Sequence, residues 1–283
     1  MANSRDVVVT GVSTGIGWGT TKVLVSKGFR VFGSVRKQAD ADRLQKEFGD
    51  LFVPLMMDIT DADAVHQAAQ KVGSMMGDGN LVGLVNNAGI VVSGPLLYLR
   101  PSEYRRQLEV NMISPLVVIQ AFAPLLGTDK KRQGPAGRIV IISSTGAKVA
   151  IPLIGAYSSS KAGLEGMSDA LRQELMLFGL DVVIIEPGTV NTSMYDKGEK
   201  EDLSEFKPTE YWGQCRTSRS TSSPRHELTV YPLSVWARQS MWHSVRRNRK
   251  HATPSFRGVS RTGLCPGFFL RGCSTRTSQS KWD

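Results

Sequence analysis

Long apolar runs are missing from this sequence. No stretch approaches the roughly 20 residues that a membrane-spanning helix needs, and the nearest, "PLVVIQAFAPLL", is interrupted by glutamine and proline. No membrane partner is therefore expected. The opening "MANSRDVVVTG" enters an apolar run straight after a charged pair, without the basic and apolar regions of a secretory leader. Cysteine is scarce too: Cys215, Cys265 and Cys273 form no CxxC pair, and the histidines do not stand at metal-ligand spacing. No metal site is expected, and unpaired thiols suit a reducing compartment, so the expectation is a soluble, cytoplasmic protein.

Acidic residues are nearly missing from one part of the chain. Residues 213–283 hold 13 Lys and Arg against two acids, whereas residues 1–212 hold 22 against 23, so the formal net charge of +10 belongs to the later part. That part is also poor in apolar residues and rich in Ser and Arg, with no sustained helical period. Three explanations fit it: a disordered basic tail, a nucleic-acid-binding extension, or an out-of-frame or intron-derived stretch. The abrupt change in composition favours the last, and nucleic acid is not expected as a partner despite the basic charge. The domain reading is residues 1–212 as one folded domain and 213–283 as a separate tail.

What is present before residue 213 is an alternation of short β-branched runs with longer amphipathic stretches. The runs are "DVVVT" (6–10), "RVFGSV" (30–35), "FVPLMM" (52–57), "LVGLVN" (81–86), "RIVIIS" (138–143) and "DVVIIE" (181–186). Nearly continuous apolar strands mean that both sheet faces are buried, and the intervening segments are long enough for crossover helices. The expected fold is α/β: a Rossmann-like, doubly wound parallel sheet with six recognisable strands.

Ligands of such sheets bind beyond the carboxyl ends of the strands. Polar residues or glycines stand at all six ends: "TGVSTGIG" after the first, Arg36 and Lys37 after the second, Asp58 after the third, "NNAG" after the fourth, Ser143 and Ser144 after the fifth, "PGTVNT" after the sixth. Glycines after the first strand let the backbone approach a pyrophosphate, which then sits on the N–H groups and positive dipole end of the next helix. Asp58 has two readings, an acceptor for an adenine amino group or the N-cap of the following helix. In "YSSSK", Tyr157 and Lys161 stand four apart, which in a helix stacks a phenol and an ammonium on one face.

These motifs together resemble the short-chain dehydrogenase/reductase family. "TGVSTGIG" matches its TGxxxGxG loop, "NNAG" its motif after strand four, "YSSSK" its YxxxK and "PGTVNT" its PGxxxT segment, with Ser144 standing 13 residues before Tyr157 and Asn111 lying in "LEVNMISP". The resemblance covers about residues 5–195. It implies a catalytic set of Asn111, Ser144, Tyr157 and Lys161. Tyr157 exchanges a proton with the substrate oxygen, Ser144 holds that oxygen, Asn111 holds a water, and Lys161 binds the ribose and, together with the cationic nicotinamide, shifts the phenol towards phenolate. It implies cofactor contacts from Gly11, Ser13, Thr14, Gly15, Ile16, Gly17, Arg36, Asp58, Asn86, Ala88, Gly89, Lys161, Pro187, Gly188, Val190 and Thr192. Ser143 is expected to be structural, because neighbouring strand residues alternate between faces.

NAD-specific members carry an acid at the end of the second strand; "SVRK" has none, and Arg36 offers a bidentate grip on a 2′-phosphate, so NADP is expected over NAD. The ending is similar to that of NADP-dependent steroid and retinoid members. Val91, Val92, Leu96, Met194, Tyr195 and Phe206, on the loop after strand four and on a lid at about residues 192–212, suggest a pocket for an apolar alcohol or carbonyl, or simply pack that lid. The resemblance also implies a helix and a seventh strand after the lid, for which no run is recognisable, and a homo-oligomer whose contact that strand builds, which its apparent absence puts in question. Against an oxidoreductase stands a second reading, a non-catalytic dinucleotide-binding or interaction protein. Met75 and Met76 are expected to pack, His66 to be solvated, and "TDKKRQ" (128–133) to be a surface loop.

Overall fold

The computed structural model describes residues 5–188, 190 and 202–215. Six strands form one sheet: β1 (Asp6–Val9), β2 (Arg30–Val35), β3 (Phe52–Met56), β4 (Gly83–Asn86), β5 (Arg138–Ile142) and β6 (Asp181–Ile185). Their order is β3-β2-β1-β4-β5-β6, and every neighbouring pair is parallel. The chain winds outward one way from β1 to β3 and the other way from β4 to β6. The switch between β1 and β4 opens the crevice in which such sheets take their ligands.

Strand register explains the two-sided core. Val53, Phe32, Val8, Leu84, Ile139 and Val182 are paired in one row across all six strands, and they face the same cluster. Helices α3 (Ala62–Met76) and α5 (Ser114–Ala123) and helix α6 (Gly155–Glu174) cover that face, through Val65, Val72, Val118, Phe122 and Leu164 among others. One residue along, Val9, Val85 and Val140 face the opposite cluster, covered by α1 (Gly15–Ser26) and α2 (Gln38–Phe48) through Leu24, Ala41 and Leu44. Burying a side chain of this kind stabilises by about 1.5–3 kcal/mol. The alternation therefore fixes the register, since a slip of one residue would exchange the two faces.

The remaining helix, α4 (Pro101–Leu108), runs through a π-helical turn (Glu109–Ile113) into α5 and a second such turn (Pro124–Thr128). This continuous stretch, Pro101–Thr128, holds an 18-residue window with the length and hydropathy of a membrane span, yet 44% of the window is buried inside the protein. Its apolar content comes largely from the face that packs on the sheet.

Several expectations change in detail. Strand β4 starts at Gly83, not residue 81, because the Leu81 amide is donated to Leu125 O. The N-cap of α3 is Asp61, whose carboxylate accepts from Ala64 N at 3.0 Å; Asp58 accepts instead from Thr60 N and Oγ1, holding the turn before the helix. Met76 packs on the core, whereas Met75 is exposed. His66 is exposed, with Nδ1 at 2.7 Å from Ala62 O. The 128–133 segment is not merely solvated: Arg132 donates to Gly77 O and Gly79 O, and clamps the end of α3.

Of the expected lid, Thr192, Met194 and Tyr195 lie outside the described residues, as does nearly all of 213–283. Residues 202–215 carry a single 3-10 turn (Ser204–Phe206) and a helical turn at 212–215, so the compositional boundary at residue 213 falls within a helix. Buried Leu203, Phe206 and Cys215 cluster with Leu153, Tyr211 and Trp212. Glu210 accepts from the Tyr98 hydroxyl, which ties this segment to the loop after β4.

Candidate active site

The glycine-rich turn after β1 is held by atoms of three strands. Ser34 of β2 accepts from Gly11 N at 2.9 Å through its hydroxyl and from Val12 N through its carbonyl. Just after β4, Asn87 Nδ2 donates to Thr10 O and Gly11 O, while the Thr10 hydroxyl accepts from Asn87 N and Ala88 N. Gly11 has φ 69°, and a Cβ there would stand 2.9 Å from Ala88 Cα. At Gly17, a Cβ would lie 2.2 Å from Gly11 O and 2.5 Å from Asn87 Nδ2. The turn thus exists because two side chains are absent, and its close packing brings the backbone of residues 11–17 to the crevice.

Thr14 is the extended N-cap of α1, Gly15 and Ile16 open the helix, and no acidic residue stands in the first turn, so the dipole end is left positive for an anion. Ser13 accepts at its carbonyl from Arg43 of α2 at 2.6 Å. At the end of β2, Arg36 lies 3.6 Å from Asp58 across the β2–β3 edge, both side chains well exposed. Burial draws the Asp58 carboxyl up, but the Thr60 hydrogen bonds and the Arg36 charge outweigh it and leave the net shift downward. Asn86 ends β4 buried, with Nδ2 unpartnered among the described residues, a donor at the carboxyl edge of the sheet. These features fit a dinucleotide: a pyrophosphate cradle that a Cβ would fill, an open helix end, and an orphaned buried donor.

On the other side of β4, Asn111 sits within the π-helical turn, buried. Its Oδ1 accepts from Ile90 N and its Nδ2 donates to Ile90 O, both at 2.9 Å, and Nδ2 also reaches Ser160 of α6 at 3.3 Å. The side chain is thereby engaged as a clamp between the loop after β4 and α6. Gly89 is close beneath it, a Cβ there meeting Asn111 Oδ1 at 3.2 Å. Gln107 repeats the clamp one turn earlier, accepting from Val92 N and donating to Ile90 O.

Ser144, Tyr157 and Lys161 come together where β5 ends against α6. Ser144 is the extended N-cap of a 3-10 turn (Thr145–Ala147), accepts from Gly146 N at 3.0 Å, and lies beside the Tyr157 ring: a Cβ on Gly146 would stand 3.3 Å from Ser144 Oγ and 3.4 Å from Tyr157 Cε1. Lys161 Nζ is buried, donates to Ile142 O at 2.7 Å, and lies 5.8 Å from the centre of the Tyr157 ring. Burial depresses the Lys161 ammonium to about 8, with Glu165 opposing the shift. Burial also raises the Tyr157 phenol above its ordinary value, and Ser144 pulls it part of the way back. The Lys161 charge is itself buried and turned towards a backbone carbonyl, and desolvation sets the direction of the phenol.

After β6, Pro187 O accepts from Thr145 N at 2.9 Å, which ties the 187–190 segment to the Ser144 turn. Gly188 is exposed and Val190 half-buried beside it. Ser143 is buried and donates to Glu165 of α6, a structural part as expected. Sequence reasoning missed Thr10, Ser34, Arg43, Asn87, Gln107 and Glu165. For Thr10, Ser34 and Asn87 a signal existed, their places in "TGVSTGIG", "SVRK" and "NNAG"; the others touch the site only through contacts made in the folded chain.

The comparisons agree with this geometry. The short chain dehydrogenase family model matches residues 5–202. An NADPH-dependent 3-dehydrocapnine reductase from Ornithobacterium rhinotracheale is 40% identical over 207 residues, 73% of this chain and 72% of that one. Estradiol 17-beta-dehydrogenase 2 of Mus musculus is 35% identical over 215 residues, 72% of this chain but 54% of its own length. Among solved structures, a short chain dehydrogenase from Burkholderia cenocepacia J2315 in complex with NADP superposes with TM-score 0.60 at 30% identity, covering 69% of this chain and 76% of that one. With one model matched across more than two thirds of its length, this chain belongs to the short-chain dehydrogenase family of oxidoreductases.

Proposed function

We propose that the chain is an NADP(H)-dependent oxidoreductase that interconverts an apolar alcohol and its carbonyl, with Tyr157 as the acid and base. The observation that carries this reading is the gathering of Ser144, the Tyr157 ring and the buried Lys161 ammonium where β5 ends against α6. The dinucleotide, when bound, supplies or accepts the hydride. A phenol held protonated by burial is the donor that carbonyl reduction requires, and Ser144 holds the same substrate oxygen by a hydrogen bond that strengthens as charge develops. Lys161 stabilises the phenolate left behind, since its ammonium is on the adjacent helical turn. Asn111 keeps the loop after β4 and α6 in register.

Cofactor choice rests on Arg36. An exposed guanidinium at the end of β2, with no acid in "SVRK", is suited to bidentate recognition of a 2′-phosphate. Gly11, Ser13, Thr14, Gly15, Ile16 and Gly17 would hold the pyrophosphate, Asp58, Asn86, Ala88 and Gly89 the adenosine side and cleft wall, and Pro187, Gly188, Val190 and Thr192 the nicotinamide end. The NADPH dependence of the Ornithobacterium rhinotracheale relative and the NADP in the Burkholderia cenocepacia structure support the same choice. For an apolar substrate the support is Leu96, Val149 and Ile151, which are 57%, 67% and 54% exposed on the two loops flanking the start of α6. Exposed apolar side chains grouped at a cleft mark a binding surface.

The test is Tyr157→Phe. Loss of turnover of an apolar aldehyde or ketone, with NADPH affinity retained in a fluorescence titration, is the expected outcome. Turnover undiminished in the variant would remove Tyr157 from the chemistry.

A further inference from the structure

One buried carboxylate lies outside the catalytic set just described. Glu165 stands one helical turn after Lys161 on α6, with its side chain 6% exposed. Its Oε1 accepts from the Ser143 hydroxyl at 2.5 Å, and its Oε2 meets Lys148 Nζ at 2.5 Å. Ser143 and Lys148 bracket the short turn that carries Ser144: one precedes it at the end of β5, the other follows Ala147. The same turn is tied on its far side to the end of β6, by Ser143 N to Ile185 O at 2.7 Å and Thr145 N to Pro187 O at 2.9 Å. Both ends of the Ser144 turn are thus fastened to the helix that carries Tyr157 and Lys161, and they are fastened through a single side chain.

We propose that Glu165 is a positioning residue of the active site: its carboxylate, held by Ser143 and Lys148, sets the Ser144 hydroxyl against Tyr157 and places a fixed negative charge one turn from Lys161. This catalytic meaning rests on the function proposed above. Two physical consequences follow. Ser144 comes from a strand end and Tyr157 from a helix, so their closeness needs strand and helix to keep one spacing; a short charge-assisted bond from Ser143 to Glu165 does this where a loop alone would not. The carboxylate also opposes the desolvation that drives the buried Lys161 towards its neutral form.

The charged and titratable groups on the elements packed against α6 are Lys148 on the Ser144 turn, Asp181 on β6 and Glu186 after it, Glu109 on the π-helical turn, and Glu103, Tyr104, Arg105 and Arg106 on α4; Tyr157, Asp169, Arg172 and Glu174 share the helix itself. Lys148 Nζ also lies 3.7 Å from Glu186, so the exposed lysine spreads its charge over two acids. Removing Glu165 and removing Lys148 must therefore act on Lys161 in opposite directions, which a general loosening of the fold would not do.

The experiment is an NMR titration of the full chain labelled at lysine Nζ and tyrosine Cζ, with the Lys161 and Tyr157 signals assigned by Lys161→Met and Tyr157→Phe. Glu165→Gln should lower the Lys161 midpoint, because the stabilising anion is gone. Lys148→Met should raise it, because a competing cation is gone. Ser143→Ala leaves the charges in place, so it should leave Lys161 nearly unmoved and raise the Tyr157 midpoint, as Ser144 loses its fixed position. Where Glu165→Gln does not fold, Lys148→Met and Ser143→Ala carry the test. A Lys161 midpoint that does not respond to Lys148→Met, or a Tyr157 midpoint that ignores Ser143→Ala, overturns the proposal. The titration needs neither cofactor nor substrate, so a chain that binds no NADPH would overturn the functional reading and leave this test standing.

Discussion

Adding one methyl group to each of two glycines should move stability in opposite directions. Gly17→Ala puts a Cβ 2.2 Å from Gly11 O and 2.5 Å from Asn87 Nδ2, and the first obstacle is backbone, which cannot swing away. Overpacking of this kind costs about 1–3 kcal/mol. Relief requires the turn to move off Asn87, whose Nδ2 donates to both Thr10 O and Gly11 O, and each lost bond costs about 1 kcal/mol more. The total is about 3–5 kcal/mol, which for a domain of this size lowers Tm by about 6–20 °C. Gly166 lies exposed inside α6 with nothing within 4 Å of an added Cβ among the described residues. There alanine removes the conformational penalty of a helical glycine, worth about 0.5–1 kcal/mol, and Tm should rise by about 1–4 °C. Differential scanning fluorimetry on both variants, with NADPH titration beside it, makes the comparison. Gly17→Ala should also lose cofactor binding, whereas Gly166→Ala should keep it. A Gly17→Ala chain with unchanged Tm and NADPH affinity would refute the reading of this turn as a close-packed phosphate cradle.

Arg36→Ala should weaken NADPH by about 1.5–3 kcal/mol, the range for hydrogen bonds to a charged group, and leave NADH nearly unchanged; equal losses for both would count against a 2′-phosphate contact. The Lys161 ammonium gives a pH signature. Its value falls from an ordinary 10.5 to about 8 on folding, so below pH 8 it is charged in both states and its burial cost, about 3 kcal/mol, is fully present. Between pH 8 and 10.5 the unfolded chain holds a proton that the folded chain has lost, so stability rises with pH across that window. Unfolding free energies of wild type and Lys161→Met, compared by urea titration, should show the wild type gaining on the variant there; a constant difference from pH 7 to 10.5 would contradict the burial assigned to Lys161.

The sheet was legible because its strands are buried on both faces. Residues such as Val7 to Val9 or Ile139 to Ile142 read as unbroken apolar runs, and all six runs became strands with ends within two residues of the expected ones. The motif residues were legible for a different reason: a glycine that a neighbouring backbone forbids to be anything else, as at Gly17, leaves a local mark. What stayed hidden depends on contacts between distant segments. Nothing in the stretch around Glu165 announces that its carboxylate will meet Ser143, 22 residues away. Asp58 and Asp61 are equally good caps on paper, and the turn between them, with Asp61 N donated to Asp58 O, decides in favour of the second. The burial of the Tyr157 phenol was not legible, because spacing along a helix reports proximity to Lys161 but not desolvation.

The account stands most directly on hydride transfer with Tyr157 as its proton partner. Purified full-length chain incubated with NADPH deuterated at the nicotinamide C4, together with a series of apolar aldehydes and ketones, should yield alcohols carrying deuterium on the former carbonyl carbon, read by mass spectrometry. Tyr157→Phe should bind the labelled cofactor and yield no labelled alcohol. Wild-type chain that binds NADPH yet transfers no label to any carbonyl in the series, or a Tyr157→Phe chain that transfers it as fast as wild type, would contradict the central claim.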